Sequence, residues 1–175
     1  MVDLLSENEG EPSNYPAPPM SMSQDALMLD KAALWSRIES WIAHRWGERS
    51  VVWIVEGPGV FVPRLKPATI DTTEQWAGDA WVAGSLSPAP VGYKLDEGTF
   101  RVTATVGSAD TPPPDVFEAF RRYVEYAADT SEIGIVATSG VRTFGDVSVQ
   151  SDRPAAWQAK ALHNSGAGDL LKRYR

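Results

Sequence analysis

Residues 99–128 read TFRVTATVGSADTPPPDVFEAFRRYVEYAA, and the spacing of apolar residues changes partway along them. Phe100, Val102, Ala104 and Val106 alternate with polar neighbours, which is the period of a half-buried strand. Gly107 breaks the run. Pro112, Pro113 and Pro114 deny a strand interior but suit the first turn of a helix. Val116, Phe117, Phe120, Val124 and Ala127 then recur at helical intervals, with Glu118, Arg121, Arg122 and Glu125 on the polar side. The spacing predicts a strand over 100–106 and a helix over 114–129, an α+β pattern. No nucleophile, ligand cluster or phosphate loop occupies this junction.

Upstream, residues 1–22 are acidic and rich in proline (Pro12, Pro16, Pro18, Pro19), with little to bury. They read as an extended arm that stays disordered until something binds it. Ser21 or Ser23 can cap a helix over 24–46, where Leu27, Leu34, Ile38, Trp41 and Ile42 form a stripe flanked by Trp35 and Trp46. Gly47 is its natural stop. Residues 51–106 read as short strands at 51–55, 60–65, 80–83 and 100–106. Gly57-Pro58-Gly59 is expected to be a tight turn between the first two, Pro63 puts the second at an edge, and Ser87-Pro88-Ala89-Pro90 is a loop.

Downstream, residues 132–137 suit either a helix extension or a new strand. Val141, Phe144, Val147 and Val149 are strand-like around Gly140 and Gly145. Pro154 opens a third short helix to about His163, with Gly166 and Gly168 ending it. An apolar and basic tail follows. The expected architecture is a small helical bundle with an inserted antiparallel β-sheet or hairpin region and extended N- and C-terminal arms. It divides into an arm at 1–22, a core at 23–150 (β insertion 51–106, helix 114–129) and a C-terminal helix and tail at 151–175.

The chain has 175 residues, 43% of them hydrophobic, enough for a real core. Its longest apolar run, residues 51–55, falls far short of the roughly 20 residues that span a bilayer. The opening Met-Val-Asp has no basic region or apolar core of a signal peptide, and there is no cysteine for a disulfide or a thiolate ligand. Together these point to a cytosolic chain that does not engage membranes. The net charge of -7 opposes gripping duplex DNA, although it does not oppose DNA sliding past. Charge is also polarised: six acids precede the first basic residue, Lys31, while from Arg153 onward five basic residues face Asp169 alone. Each tail is either solvated or reaches a complementary surface.

Catalytic signals are missing from the pattern. His44 and His163 have no metal-ligand spacing, and Pro58 lacks the N–H that a phosphate cradle needs. The expectation is a non-enzyme without metal or cofactor. The seven tryptophans serve either as core and interface filling or as a stacking platform for sugars or bases. Trp35, Trp41 and Trp46 fall in the helical stretch, which favours packing. Trp53, Trp76 and Trp81 fall in the strand region, where an interface is equally compatible. Leu170, Leu171 and Tyr174 either fold back on the core or, hinged at the preceding glycines, insert into a partner's groove.

Three features resemble the head–tail connector (adaptor) proteins of tailed bacteriophages and of phage-derived gene transfer agents. The first is the helix ending near Trp46 before a strand-rich insertion. The second is the strand at 102–106, Gly107, the prolines and the helix at 116–128. The third is Ser139-Gly140-Val141-Arg142-Thr143-Phe144-Gly145-Asp146-Val147-Ser148-Val149, similar to the family's Ser-x-x-x-x-Gly-Asp-x-Ser-x pattern, with a chain end of the Leu-Leu-x-x-Tyr-Arg type. The similarity spans roughly 24–175; the short first helix with a His-Leu-Arg-like sequence has no counterpart here.

The resemblance implies a homo-oligomeric ring, typically a dodecamer, seated beneath the portal protein. Such a ring extends the channel through which DNA passes without specific binding, and it offers a platform to a tail-side connector (stopper or tail terminator). Leu170, Leu171, Lys172, Arg173, Tyr174 and Arg175 would dock into the portal, while Trp53, Phe61, Trp76 and Trp81 would face the ring or the tail side. The location implied is the head–tail joint of a virion or gene transfer agent particle, assembled in the host cytoplasm. The alternatives are a carbohydrate-binding module using Trp76 and Trp81, and a hydrolase acting through paired carboxylates.

Overall fold

The computed structural model describes residues 2–19, 21–131, 139–144, 147–152 and 160–175. Among them, β1 (Asp3–Glu9), β2 (Arg49–Phe61), β3 (Ala68–Trp76), β4 (Trp81–Ala83), β5 (Ser87–Pro88) and β6 (Tyr93–Val106) make one antiparallel sheet. Its order is β1-β2-β6-β3-β4, with β5 pairing the start of β6. The helices are α1 (Gln24–Met28), α2 (Lys31–Glu39), α3 (Pro114–Ser131), α4 (Ala161–Asn164) and α5 (Ala167–Leu170). A two-stranded hairpin, β7 (Ser139–Phe144) with β8 (Val147–Asp152), follows α3 in the chain. Two compact units result: Met1–Pro16 with Ala43–Thr111, and Ala17–Ile42 with Pro112–Arg175.

This corrects the expected helical bundle with an inserted sheet: the fold is sheet-rich, and the six-stranded sheet is its principal element. One reason lies in the stretch read as a helix over 24–46. Leu29 is extended, and the Asp30 carboxylate accepts from the N–H groups of Ala32 and Ala33, so a new helix starts there. Asp competes with the helix interior and wins at a cap. α2 then ends at Ser40, short of Trp41 and Trp46.

A second correction concerns the acidic arm. Residues 3–9 form β1 at the edge of the sheet, in antiparallel register with β2. The acids that suggested a solvated arm are what fasten it. Glu7 Oε2 accepts a hydrogen bond from the Trp53 indole Nε1 at 2.7 Å. Glu9 Oε1 accepts from Arg45 Nε at 2.6 Å and Arg49 Nη1 at 3.0 Å, while its Oε2 accepts from Arg45 Nη2 at 3.0 Å. Both arginines are buried, and a buried guanidinium requires an anion. The Gly10 N–H continues the tie to Ser50 O at 2.8 Å, and the Arg49 guanidinium lies over the Tyr15 ring.

The third correction is at Gly57-Pro58-Gly59, which is not a turn. β2 runs through it, with a register shift between Gly57 and Gly59 against β6. Trp53 and Phe61 are eight residues apart, roughly 26 Å along a straight strand, yet their ring centroids lie 5.6 Å apart. The strand therefore bends back on itself at this irregularity. A side chain at Gly57 would meet Asp96 O at 2.1 Å, so this crossing accepts only glycine. Pro63 lies beyond the strand.

The core of this unit takes the inward residues of β2 and β6, Val51, Trp53, Val55, Phe100, Val102, Ala104 and Val106, all at most 3% exposed. Arg101, Thr103 and Thr105 alternate outward as the period requires. β3 has no counterpart in the sequence reading; it carries Ile70 against the core cluster but is otherwise rich in threonine and acids.

In the second unit α3 buries Val116, Ala119, Phe120, Tyr123 and Val124, with Phe120 stacked on Trp35 at 4.4 Å. Ser23, the cap of α1, donates to Glu125 through its N–H and its hydroxyl, both at 2.7 Å. Glu125's carboxyl is held below its ordinary range by these bonds. The readings at 132–137, at Gly145 and Asp146, and at Pro154 lie outside the described residues. Gly166, in the left-handed region at φ 72°, ends α4 as expected and caps α5. Gly168 sits within α5 rather than ending a helix.

Candidate interaction surfaces

The β3–β4 hairpin builds the most distinctive surface. Trp76 pairs with Trp81, Glu74 with Ala83, and Glu74 again with Arg101 of β6. Direct partners share a face, so Glu74, Trp76, Trp81 and Arg101 all stand on the side of the sheet opposite the core. The two indoles meet edge to face, with centroids at 5.1 Å and planes at 63°. The Arg101 guanidinium lies 4.7 Å above the Trp81 ring and pairs with Glu74 Oε2 at 2.6 Å. Trp76 closes the row and stays 42% exposed. The segment 68–93 carries Asp71, Glu74 and Asp79 and has no lysine or arginine.

Crossed ring planes do not make the flat double platform on which a sugar chain stacks, and Arg101 already covers one face of Trp81. The corner is suited to a protein surface: a rigid aromatic pair, one ring free, with charged groups at the rim. Trp53 and Phe61, expected at an interface, instead lie in the sheet's own core at 0% and 4% exposure. Their rings pack on each other because β2 folds back.

The C-terminal segment has returned to its own unit. Leu171 is fully buried, Leu170 and Tyr174 are half-buried, and Lys172, Arg173 and Arg175 are exposed. The Tyr174 hydroxyl donates to Asp115 Oδ1 at 3.1 Å, and Arg173 pairs with Asp115 Oδ2 at 2.8 Å. Asp115 stands in the first turn of α3, where negative charge also complements the helix dipole. The hydrogen bond from Arg173 to the Tyr174 hydroxyl, followed by the Asp115 charge, raises the Arg173 pKa above its ordinary value. Arg175 lies 4.1 Å over the Trp41 ring, and Lys172 reaches Asp169 at 2.7 Å. A fully buried apolar anchor, two half-buried neighbours and a set of polar contacts at the rim hold this segment.

Sequence reasoning missed four contributors: Arg101, Glu74, Asp115 and Trp41. The Glu74–Arg101 pair depends on the register of β3, a strand too polar to stand out. Trp41 was placed on a helical stripe, but it lies past the end of α2 and presents its face to Arg175. Asp115 gave a usable signal as an acid at the start of a helix.

Among the described residues no group of three or more His, Asp or Glu side chains is placed to hold a metal ion. No described helix is long and apolar enough to cross a membrane. No protein-family model, curated protein or solved structure matches this chain.

Proposed function

We propose that the chain is a structural head–tail connector subunit that acts by fitting against other proteins. In this reading copies form a ring beneath a portal protein. The ring extends the DNA channel and presents a platform to a tail-side connector. The observation that carries it is the β3–β4 corner, an aromatic pair with Trp76 exposed, set on paired strands and fixed by the Glu74–Arg101 ion pair. The sequence features behind the resemblance support it as well: the β6–Gly107–Pro–α3 junction and the Leu-Leu-x-x-Tyr-Arg chain end. An acidic body suits a channel wall that lets DNA slide.

Portal docking by residues 170–175 requires the segment to leave its own unit. Leu171 opposes release through its burial. The ion pairs of Lys172 and Arg173 are exposed on the basic side and contribute little each, while Leu170 and Tyr174 are half-buried. The aromatic geometry speaks for this reading over a carbohydrate-binding module.

Electron microscopy of the purified chain, alone and with a candidate portal, tests the proposal. Rings, or density capping the portal, are the expected result. A chain lacking residues 172–175, which keeps the buried Leu171, is expected to fold and still fail to join heads to tails. Particles that assemble and transfer DNA normally with the truncated chain refute the docking assignment.

A further inference from the structure

We infer that the Trp76–Trp81 corner is a docking site for a cationic segment of a partner protein, with an arginine or lysine side chain seated against Trp76. The inference rests on reading this corner as a contact surface, and it names the chemistry of the occupant.

The site already contains the interaction once, within the chain. Arg101 sits over the face of Trp81 and is neutralised by Glu74, an arrangement of ring, guanidinium and carboxylate held at 4.7 Å and 2.6 Å. Trp76 repeats the ring without a second cation from this segment, since 68–93 has no lysine or arginine. It is 42% exposed, and Asp79, three residues on in the β3–β4 connection, is exposed as well. An exposed, electron-rich ring face in a segment that carries acids and no basic residue favours a cation over an anion or a neutral group.

The wider charge distribution agrees. The unit formed by Met1–Pro16 and Ala43–Thr111 holds twelve acids and six basic residues, a net -6, nearly all of the charge of the chain. A basic partner is therefore drawn to this unit before it docks, and like-charged surfaces are turned away.

The test uses the full chain and an acetylated hexapeptide with two arginines set between leucines, read by tryptophan emission. A saturable change is expected, weakening as salt rises from about 0.05 to 0.5 M. Trp76→Ala is expected to weaken binding about tenfold and Asp79→Asn severalfold less, while Trp41→Ala leaves it unchanged. Circular dichroism of each variant checks folding, and Trp76→Phe, which keeps a ring, should recover part of the affinity.

Equal binding of the same peptide with glutamine for arginine overturns the inference, as does unchanged binding by Trp76→Ala. Sedimentation showing that the chain self-associates through this corner, and that Trp76→Ala abolishes it, also overturns it, because the occupant is then a second copy. The assay needs neither ring nor portal, so its outcome is separable from that of the connector reading.

Discussion

Replacing Glu9 by glutamine tests whether a single carboxylate fastens the first strand to the sheet. Glu9 accepts from two guanidiniums, and the Arg45 and Arg49 side chains are 9% and 4% exposed while that of Glu9 is 25% exposed. The amide keeps the shape but removes the charge and one acceptor oxygen. Breaking a fully buried pair costs about 3–5 kcal/mol. Partial access of water to Glu9 lowers the expectation to about 2–4 kcal/mol. Glu11→Gln, at an exposed position two residues on, is the control and should change stability by less than about 0.5 kcal/mol. Urea unfolding followed by tryptophan emission gives the difference, with Trp53 as the local reporter because its indole donates to Glu7 in the same strand. Hydrogen exchange at Gly10, whose N–H donates to Ser50 O, should accelerate in the variant. A Glu9→Gln chain as stable as the control, with the Gly10 amide still protected, refutes the argument that this carboxylate holds the strand.

Further outcomes concern the helical unit and pH. Hydrogen bonds from Arg121 and then Arg122 hold the Glu118 carboxyl down to about 2, from an ordinary 4.5. A depressed carboxyl stabilises the fold above its ordinary value and loses that contribution as pH falls through about 2. Glu118→Gln should therefore flatten acid unfolding between pH 4.5 and 2, modestly, since the pair is screened by water. Burial, then the Arg45 charge, lowers the His44 pKa from 6.5. The folded state resists protonating it, so stability falls as pH drops below 6.5, and His44→Gln should remove that part of the slope in thermal melts at pH 7 and 5. Leu171→Ala should cost about 2–4 kcal/mol in thermal unfolding and expose the chain end to carboxypeptidase. Arg173→Ala, at the exposed rim, should cost less than about 1 kcal/mol. Equal effects of the two would contradict a segment held mainly by its apolar anchor.

The strand over 100–106 and the helix over 114–129 were legible because each has an uninterrupted apolar period that one buried face must satisfy. The hairpin strands around Gly140 and the cap at Gly166 were readable for similar local reasons. The helix over 24–46 was overread, because periodicity does not register that Asp30 prefers capping to continuing. The tail was undecided between folding back and reaching out, and burial of Leu171 settles where it rests in this chain.

By itself, then, the sequence determined the alternating strand, the amphipathic helix, the mixed class and the acidity, because these follow from neighbours a few residues apart. Tertiary structure alone decided that the sheet dominates, that the acidic start is a strand, that Gly57-Pro58-Gly59 bends a strand instead of ending it, and that Trp53 and Phe61 are core while Trp76 stays exposed. Each of those outcomes depends on partners distant in sequence. Glu9 finds Arg45 and Arg49, Glu74 finds Arg101, and a buried cation or an unpaired strand edge is satisfied only when the chain brings its counterpart across that distance.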